Sequence, residues 1–272
     1  ASLMLADQGA DICKIEAPQG DTTRSVGPRR HEEMAAIFLN LNRNKRSMVL
    51  DLKTEGGLAA LKRMIAQADV LMHSLRPHTL QKLGLAFADV REVNPRIIYA
   101  GAFGYGQRGA YGGRAAYDDL IQAGVGVPMV QARKGGEPSY FATAFADRTV
   151  GMALAQAIPV ALYWREKSGR GQEVEVPMFE SLVDYLMVEH VNGAAFDPPI
   201  GGMGYARLLN KMRKPYRTKD GYLCVLPYTD RNWQDMFRIA GREDLIAEAA
   251  LMLWLVVRGI DAEGWRRTAS AA

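Results

Sequence analysis

An aspartate in the segment Ala144-Phe145-Ala146-Asp147-Arg148-Thr149-Val150-Gly151-Met152 stands where a long apolar pattern begins. Its carboxylate has two readings. Aspartate is among the best N-cap residues, because its oxygen accepts from first-turn amides that have no partner inside the helix; composition alone favours that structural role. In the other reading the small and apolar residues before it shelter the carboxylate in a cleft. The positive end of the helix then holds it ionised, ready to act as a nucleophile. The spacing leaves both open.

The other polar groups carry weaker signals. Gly104-Tyr105-Gly106-Gln107-Arg108-Gly109 matches the GxGxxG pattern and follows a predicted strand, which invites a dinucleotide reading. That pattern should run straight into a helix, with an acidic residue about 20 positions further on; here Ala110-Tyr111-Gly112-Gly113 would break a helix and the acid is missing. A plain glycine-rich loop is the better reading. His31, His73, His78 and His190 show no ligand spacing, so they are read as surface or packing residues and no metal is expected. Arg29, Arg30, Arg43, Lys45 and Arg46 would suit a phosphate, but a charge run of this length is usually a solvated face.

These residues need a scaffold, and the hydrophobic pattern supplies one. Strands are expected at residues 11–16, 46–52, 70–74, 96–103 and 172–176, and helices at 2–8, 54–66 and 179–191, with a helical turn at 79–83. Strands and helices alternate, which favours an α/β domain with a largely parallel sheet. A long helix follows Asp147 and stops near Lys167-Ser168-Gly169, with a kink expected at Pro159. Residues 197–204 turn to proline and glycine, and a domain boundary or hinge is placed there. Beyond it, Lys219-Asp220-Gly221-Tyr222 reads as a hairpin-like turn into a strand at 223–226.

The composition bounds the class of molecule. The chain has 272 residues, 48% hydrophobic and 24% charged, enough to bury a substantial core. The longest apolar run, residues 249–257, is well short of the roughly 20 residues that a membrane-spanning helix needs. Cys13 and Cys224 form no CxxC pair and suggest neither a disulfide framework nor a zinc site, so a reducing cytoplasm is the expected location. The net charge of +4 is spread rather than gathered in a tail. It fits a phosphate-bearing small molecule as well as it fits nucleic acid. The first residues lack the basic and then apolar layout of a signal peptide and read as the middle of a domain.

Several blocks, in order, resemble the class III CoA-transferases, the superfamily of formyl-CoA transferase, carnitine CoA-transferase and α-methylacyl-CoA racemase. They begin with Lys14-Ile15-Glu16-Ala17-Pro18, Gly20-Asp21-Thr22-Thr23-Arg24, Asn42-Arg43-Asn44-Lys45-Arg46-Ser47 and Leu50-Asp51-Leu52-Lys53-Thr54. They continue through Leu75-Arg76-Pro77, Asn94-Pro95-Arg96-Ile97-Ile98-Tyr99, Gly104-Tyr105-Gly106-Gln107, Tyr117-Asp118, the Asp147 segment and Ser168-Gly169-Arg170-Gly171-Gln172-Glu173-Val174. The match covers about residues 3–245 and fades after Leu245.

The resemblance implies a Rossmann-like large domain with a mostly parallel sheet, a smaller α/β domain and an intertwined homodimer. On that basis residues 1–200 are the large CoA-binding domain, lacking the family's first strand, and 201–272 the start of the small domain with an atypical tail. Such a chain alone is expected to expose strand edges, to aggregate and to bind CoA poorly. The resemblance also implies that Asp147 attacks an acyl-CoA thioester and passes through a mixed anhydride to an aspartyl-CoA thioester, which an acceptor carboxylate then opens. Gly201-Gly202-Met203-Gly204 could supply amides to the oxyanions.

CoA contacts carry over to Arg24, to Ser74, Leu75 and Arg76, to Lys82, and to Ala115, Ala116 and Tyr117. Acyl-CoA and a small carboxylic acid are the implied partners, with no tightly bound cofactor, nucleic acid or membrane. An α-methylacyl-CoA racemase would need a histidine where this chain has Tyr117, and a phenol, with an ordinary pKa of about 10, is a poor base. An inactive CoA-binding fragment is the remaining alternative.

Overall fold

Residues Ile97, Ile98, Tyr99 and Ala100 are buried one after another, where a half-exposed strand would alternate. A parallel strand covered by helices on both faces has this signature. A computed structural model describes residues 1–246 and shows that arrangement around the strand. The apolar run at 249–257 and the tail after Ile246 lie outside the described residues.

The chain divides into two units, Ala1–Asn210 and the part from Lys211 onward. In the first, the elements are α1 (Ser2–Asp7), β1 (Ile12–Glu16), α2 (Ala36–Asn42), β2 (Lys45–Val49), α3 (Glu55–Ile65), β3 (Val70–His73), α4 (Pro77–Leu83), α5 (Phe87–Val93), β4 (Ile98–Phe103), α6 (Asp118–Gly124), α7 (Val127–Ala132), α8 (Phe145–Ser168), β5 (Gln172–Pro177), α9 (Met178–His190) and α10 (Ala206–Leu209). The second contains β6 (Tyr216–Arg217), β7 (Tyr222–Leu223) and α11 (Asp230–Ile239).

β3, β4 and β5 form a parallel sheet with β4 in the centre, Val70 opposite Ile98 and Ile98 opposite Gln172. β1 and β2 pair in parallel as a two-stranded sheet, Ile12 opposite Lys45. Each face of β4 meets its own core. Ala100 packs with Ile121, Val150, Leu154, Ile158 and Leu182 from α6, α8 and α9. Ile97 and Tyr99 pack with Leu61, Ile65, Leu80, Leu85 and Val90 from α3, α4, α5 and the loop between the last two. The Tyr99 hydroxyl donates to the carbonyl of Leu85 at 2.8 Å, so the polar end of this buried ring is satisfied.

The expected parallel α/β architecture is present, with differences at particular elements. α2, α5, α7, α10 and α11 form where no helix was expected; the first four are of seven residues or fewer, with few periodic positions to read. β2 ends at Val49 rather than Leu52, since the turn at Asp51 already faces α3, whose cap is the Thr54 hydroxyl on the amide of Gly57 at 3.1 Å. α8 keeps Pro159 inside its span. The strand expected at 223–226 is reduced to Tyr222–Leu223, paired antiparallel with Tyr216–Arg217 across the predicted turn, where the amide of Thr218 meets the carbonyl of Gly221. Among the described residues no helix is long and apolar enough to cross a membrane.

Residues 197–204 fold back on the end of α9. The amide of Gly204 donates to the carbonyl of His190 at 2.7 Å, and the amide of Tyr205 to its Nδ1 at 3.2 Å.

α8 must stop and reverse sharply for β5 to join β4. Gly169 does this in the left-handed region (φ 73°), its amide returning to the carbonyl of Arg165. Two residues later, a Cβ on Gly171 would lie 2.2 Å from the carbonyl oxygen of Ile97, a backbone atom that cannot swing aside. Gly171→Ala is therefore expected to destabilise the fold by about 1–3 kcal/mol through forced separation of β4 and β5. Urea unfolding of the two proteins checks this, and equal midpoints would refute it.

Candidate active site

Burial along α8 falls on Ala146, Val150, Leu154, Ile158, Ala161 and Arg165, the three- and four-residue spacing of one helix face. This face lies on the sheet. Asp147 is the next residue after Ala146, about 100° around the helix at 3.6 residues per turn, so it stands at the border between the buried face and solvent. The helix returns from the carboxyl end of β4 to begin β5, and so its first turn lies at the carboxyl ends of the three parallel strands, where open α/β sheets bind ligands.

Asp147 is not the N-cap. Ala144 holds that place and Asp147 is third in the helix, because the cap comes from another element: Asp118 Oδ1, on the first residue of α6, accepts the Asp147 amide at 2.9 Å. The Asp147 side chain is thereby free of capping duty. It is exposed, yet its carboxyl is held above the usual aspartate range, first by partial burial, then by the like charge of Asp118, with Arg148 opposing. A carboxylate raised in this way gains when acylation removes its charge.

The other candidate residues distribute as follows. Ser74, Leu75 and Arg76 follow the carboxyl end of β3 and are exposed; Arg76 is the N-cap of α4 and Lys82 lies in its last turn. Ala115, Ala116 and Tyr117 follow β4 and lead into α6, with Tyr117 72% exposed. Ser74–Arg76, Ala115–Tyr117 and Asp147 thus share the carboxyl edge of the β3–β4–β5 sheet, while Lys82 lies a helix length away. Arg24 belongs to the β1–β2 sheet instead. Its guanidinium forks onto Glu16, Nε to Oε2 at 2.8 Å and Nη2 to Oε1 at 2.9 Å, and its Cζ lies over the Phe38 ring, 3.9 Å from the centroid. That guanidinium, with Ser47, the amide of Asp21 and nearby Lys14, holds the buried Glu16 carboxyl down at about 2 against the cost of its burial.

The glycine-rich loop is closed to a dinucleotide phosphate. The amide of Gly106 already donates to Glu180 Oε1 at 2.9 Å, and that of Gln107 to Glu175 Oε1 at 2.6 Å. Two carboxylates occupy the amides that a phosphate would need and would repel its charge. A Cβ on Gly104 would meet the Cβ of Ala116 at 2.2 Å, so glycine there allows close packing. Among the described residues no group of three or more His, Cys, Asp or Glu could hold a metal ion. His73 is packed against Tyr99 and Phe103, and its burial lowers it to about 4.

Two residues of the site were passed over in sequence. Asp118 was read only as part of a motif, and Gln122 not at all, although it is the one polar residue in the apolar stretch 120–126 and stands four positions after Asp118, the helical spacing at which side chains meet.

A sequence model of CoA-transferase family III matches residues 1–252. Among curated relatives, the chain is 35% identical over 265 residues to a Mycobacterium tuberculosis protein named "Probable fatty acyl-CoA transferase Rv3272", covering 91% of this chain and 66% of that one. It is 33% identical over 248 residues to a succinate–glutarate CoA-transferase of Agrobacterium fabrum, covering 89% and 62%. The chain thus spans about two-thirds or less of the length of these two relatives. A solved CaiB/BaiF family protein from Brucella suis superposes with a TM-score of 0.77 at 30% identity, over 92% of this chain and 70% of that one.

The Glu16–Arg24 pair makes acid stability testable. A carboxyl whose folded-state pKa is depressed, from the ordinary 4.5 to about 2, contributes stability that is fully present above pH 4.5 and is lost as pH falls through 2. Glu16→Gln is expected to be less stable at pH 7 and to lose less on acidification from pH 4.5 to 2. Urea midpoints across that range measure it, and wild-type and variant curves that run parallel would contradict it.

Proposed function

The chain belongs to CoA-transferase family III, and from that premise we propose that it moves CoA between carboxylic acids with Asp147 as the covalent carrier. The observation that carries this reading is the position of Asp147: at the carboxyl edge of the parallel sheet, relieved of capping by Asp118, with a raised carboxyl. An Asp147 oxygen attacks the thioester carbonyl of the donor, forming a mixed anhydride and releasing CoA as thiolate. The thiolate attacks the aspartyl carbonyl, and the donor acid leaves as carboxylate. The acceptor carboxylate attacks the aspartyl-CoA thioester, again releasing the thiolate. Attack of the thiolate on the acceptor's carbonyl then gives the new acyl-CoA and frees Asp147. Each step exchanges one acyl link for another, so no other reactant is required.

CoA lies, in this reading, along the segments that follow β3 and β4: Ser74, Leu75 and Arg76, then Ala115, Ala116 and Tyr117. Arg76 and Lys82 are exposed cations suited to phosphate oxygens. Arg24 has two nitrogens on Glu16, and its Nη1, which donates to the carbonyl of Glu33 at 3.4 Å, is the arm that would turn to the nucleotide end. The relatives' names make dicarboxylic acids and fatty acyl-CoA the first substrates to screen. A homodimer acting in the cytoplasm, without a tightly bound cofactor, completes the reading.

Acyl-CoA donors incubated with mixed acids, with the CoA products separated by chromatography, test the activity. Asp147→Ala is expected to lower transfer by roughly 10³-fold or more with the fold intact. Wild-type protein incubated with acyl-CoA should gain the mass of CoA, removable by hydroxylamine; near-native turnover by the variant would end the assignment. With Tyr117 at the place of the racemase histidine, no exchange of the α-proton of a 2-methylacyl-CoA is expected in deuterated water. Enzyme-dependent exchange would put isomerase chemistry first.

A further inference from the structure

Gln122 is completely buried in the core beneath α6, and its side-chain amide is hydrogen-bonded at both ends. Nε2 donates to Asp118 Oδ2 at 2.6 Å and faces the carbonyl of Thr143 at 3.5 Å; Oε1 accepts from the amide of Phe141 at 3.0 Å. The other oxygen of Asp118 accepts the amide of Asp147 at 2.9 Å. One amide therefore ties the start of α6, the bend at 141–143 and, through Asp118, the first turn of α8.

This use of Asp118 is specific. With Oδ1 on Asp147 and Oδ2 on Gln122, both ends of the carboxylate are fixed, which sets the plane and distance of its charge relative to the neighbouring Asp147 carboxyl. Without Gln122, Asp118 could turn about its χ2, a broad and shallow torsion, and release the Asp147 amide. A buried amide with both ends hydrogen-bonded is also costly to replace, since an apolar side chain would leave the Phe141 amide and one Asp118 oxygen unpaired.

We propose that Gln122 is a positioning residue for Asp147, holding Asp118 so that the first turn of α8 and its carboxyl face the substrate in one geometry. The catalytic consequence rests on the reading of Asp147 as nucleophile; the geometric claim does not. The charged groups that act on Asp147 are Asp118 from α6 and Arg148 from its own helix. The 141–143 segment meets Gln122 with backbone groups, and α9 meets the same turn of α8 with the Tyr185 ring on Phe145.

Two variants of the full chain separate positioning from plain packing. Gln122→Met keeps the volume and removes both hydrogen-bonding ends. Gln122→Glu keeps an acceptor for Phe141; when protonated its O–H donates to Asp118 as the amide does, and when ionised it repels Asp118. Amide hydrogen exchange and the ¹³C carboxyl titration of Asp147 are read in both, alongside turnover. In Q122M the Asp147 amide should exchange about 10-fold faster or more, with Leu154 and Ile158 of the same helix unchanged. Its kcat should fall roughly 10- to 100-fold while KM for acyl-CoA stays within about 2-fold. Q122E should approach wild-type turnover near pH 5 and fall away as pH rises, with the Asp147 titration displaced upward; it also carries the test if Q122M does not fold. Unchanged Asp147 exchange and titration in a folded variant would overturn the proposal, as would loss of turnover in Q122E that is equal at every pH. If these signals respond but wild-type protein shows no CoA transfer, the positioning claim stands and the transferase reading falls.

Discussion

The double burial of β4 is the constraint on which the rest of the first unit depends. A parallel strand cannot turn back on itself, so each neighbour must be reached by a crossover long enough to cover a face of the sheet. The crossover from β4 to β5 ends in α8, whose 24 residues span roughly 36 Å at 1.5 Å per residue, ample to traverse the sheet and return the chain to its amino edge. That requirement, and no preference of Asp147 itself, carries the first turn of α8 to the carboxyl edge. The apolar stripe from Ala146 to Ala161 is what the sheet demands, and Asp147 lies one step off it.

Satisfying buried polar groups then decides the chemistry available at that edge. α8 begins on Ala144, which has no capping side chain, and the orphan amide of Asp147 is met from α6 by Asp118. Asp118 is in turn held by a fully buried amide. The buried member of this network must be paired, since a missing partner would leave the Gln122 amide desolvated at a cost of about 1–3 kcal/mol. The same accounting explains the glycine loop. Its amides are spent on Glu175 and Glu180, so it packs closely against Ala116 and is shut to anions, whereas the segments beside it remain exposed.

A second charged assembly holds the turn after β1. Glu16 is 4% exposed and gathers Arg24, Ser47 and the amide of Asp21, while Lys14 pairs with Asp21 alongside it. Arg24 lies between this carboxylate and the Phe38 ring. A guanidinium held by two bonds and a ring face is pre-ordered, and it would lose little side-chain freedom on meeting a further anion.

The sequence by itself determined the architecture and the family. The alternation of apolar strands with helical stripes dictates a parallel α/β domain, because period 2 and period 3.6 patterns bury surface in only one way each. The ordered blocks from Lys14 to Val174 were enough to identify the family. Only the tertiary structure decided what caps what. Asp147 reads as an N-cap when neighbours in sequence are the only partners considered; its cap stands 29 positions away on α6. Gln122 carries no reading in the sequence until 141–143 folds beside it, and Arg24, carried over as a CoA contact, is found forked onto the buried Glu16. Local patterns record which face of an element is buried, because burial repeats along the chain. They do not record hydrogen-bond partners brought together across long stretches of chain, because those pairings depend on distances that exist only after the sheet and its crossovers have formed.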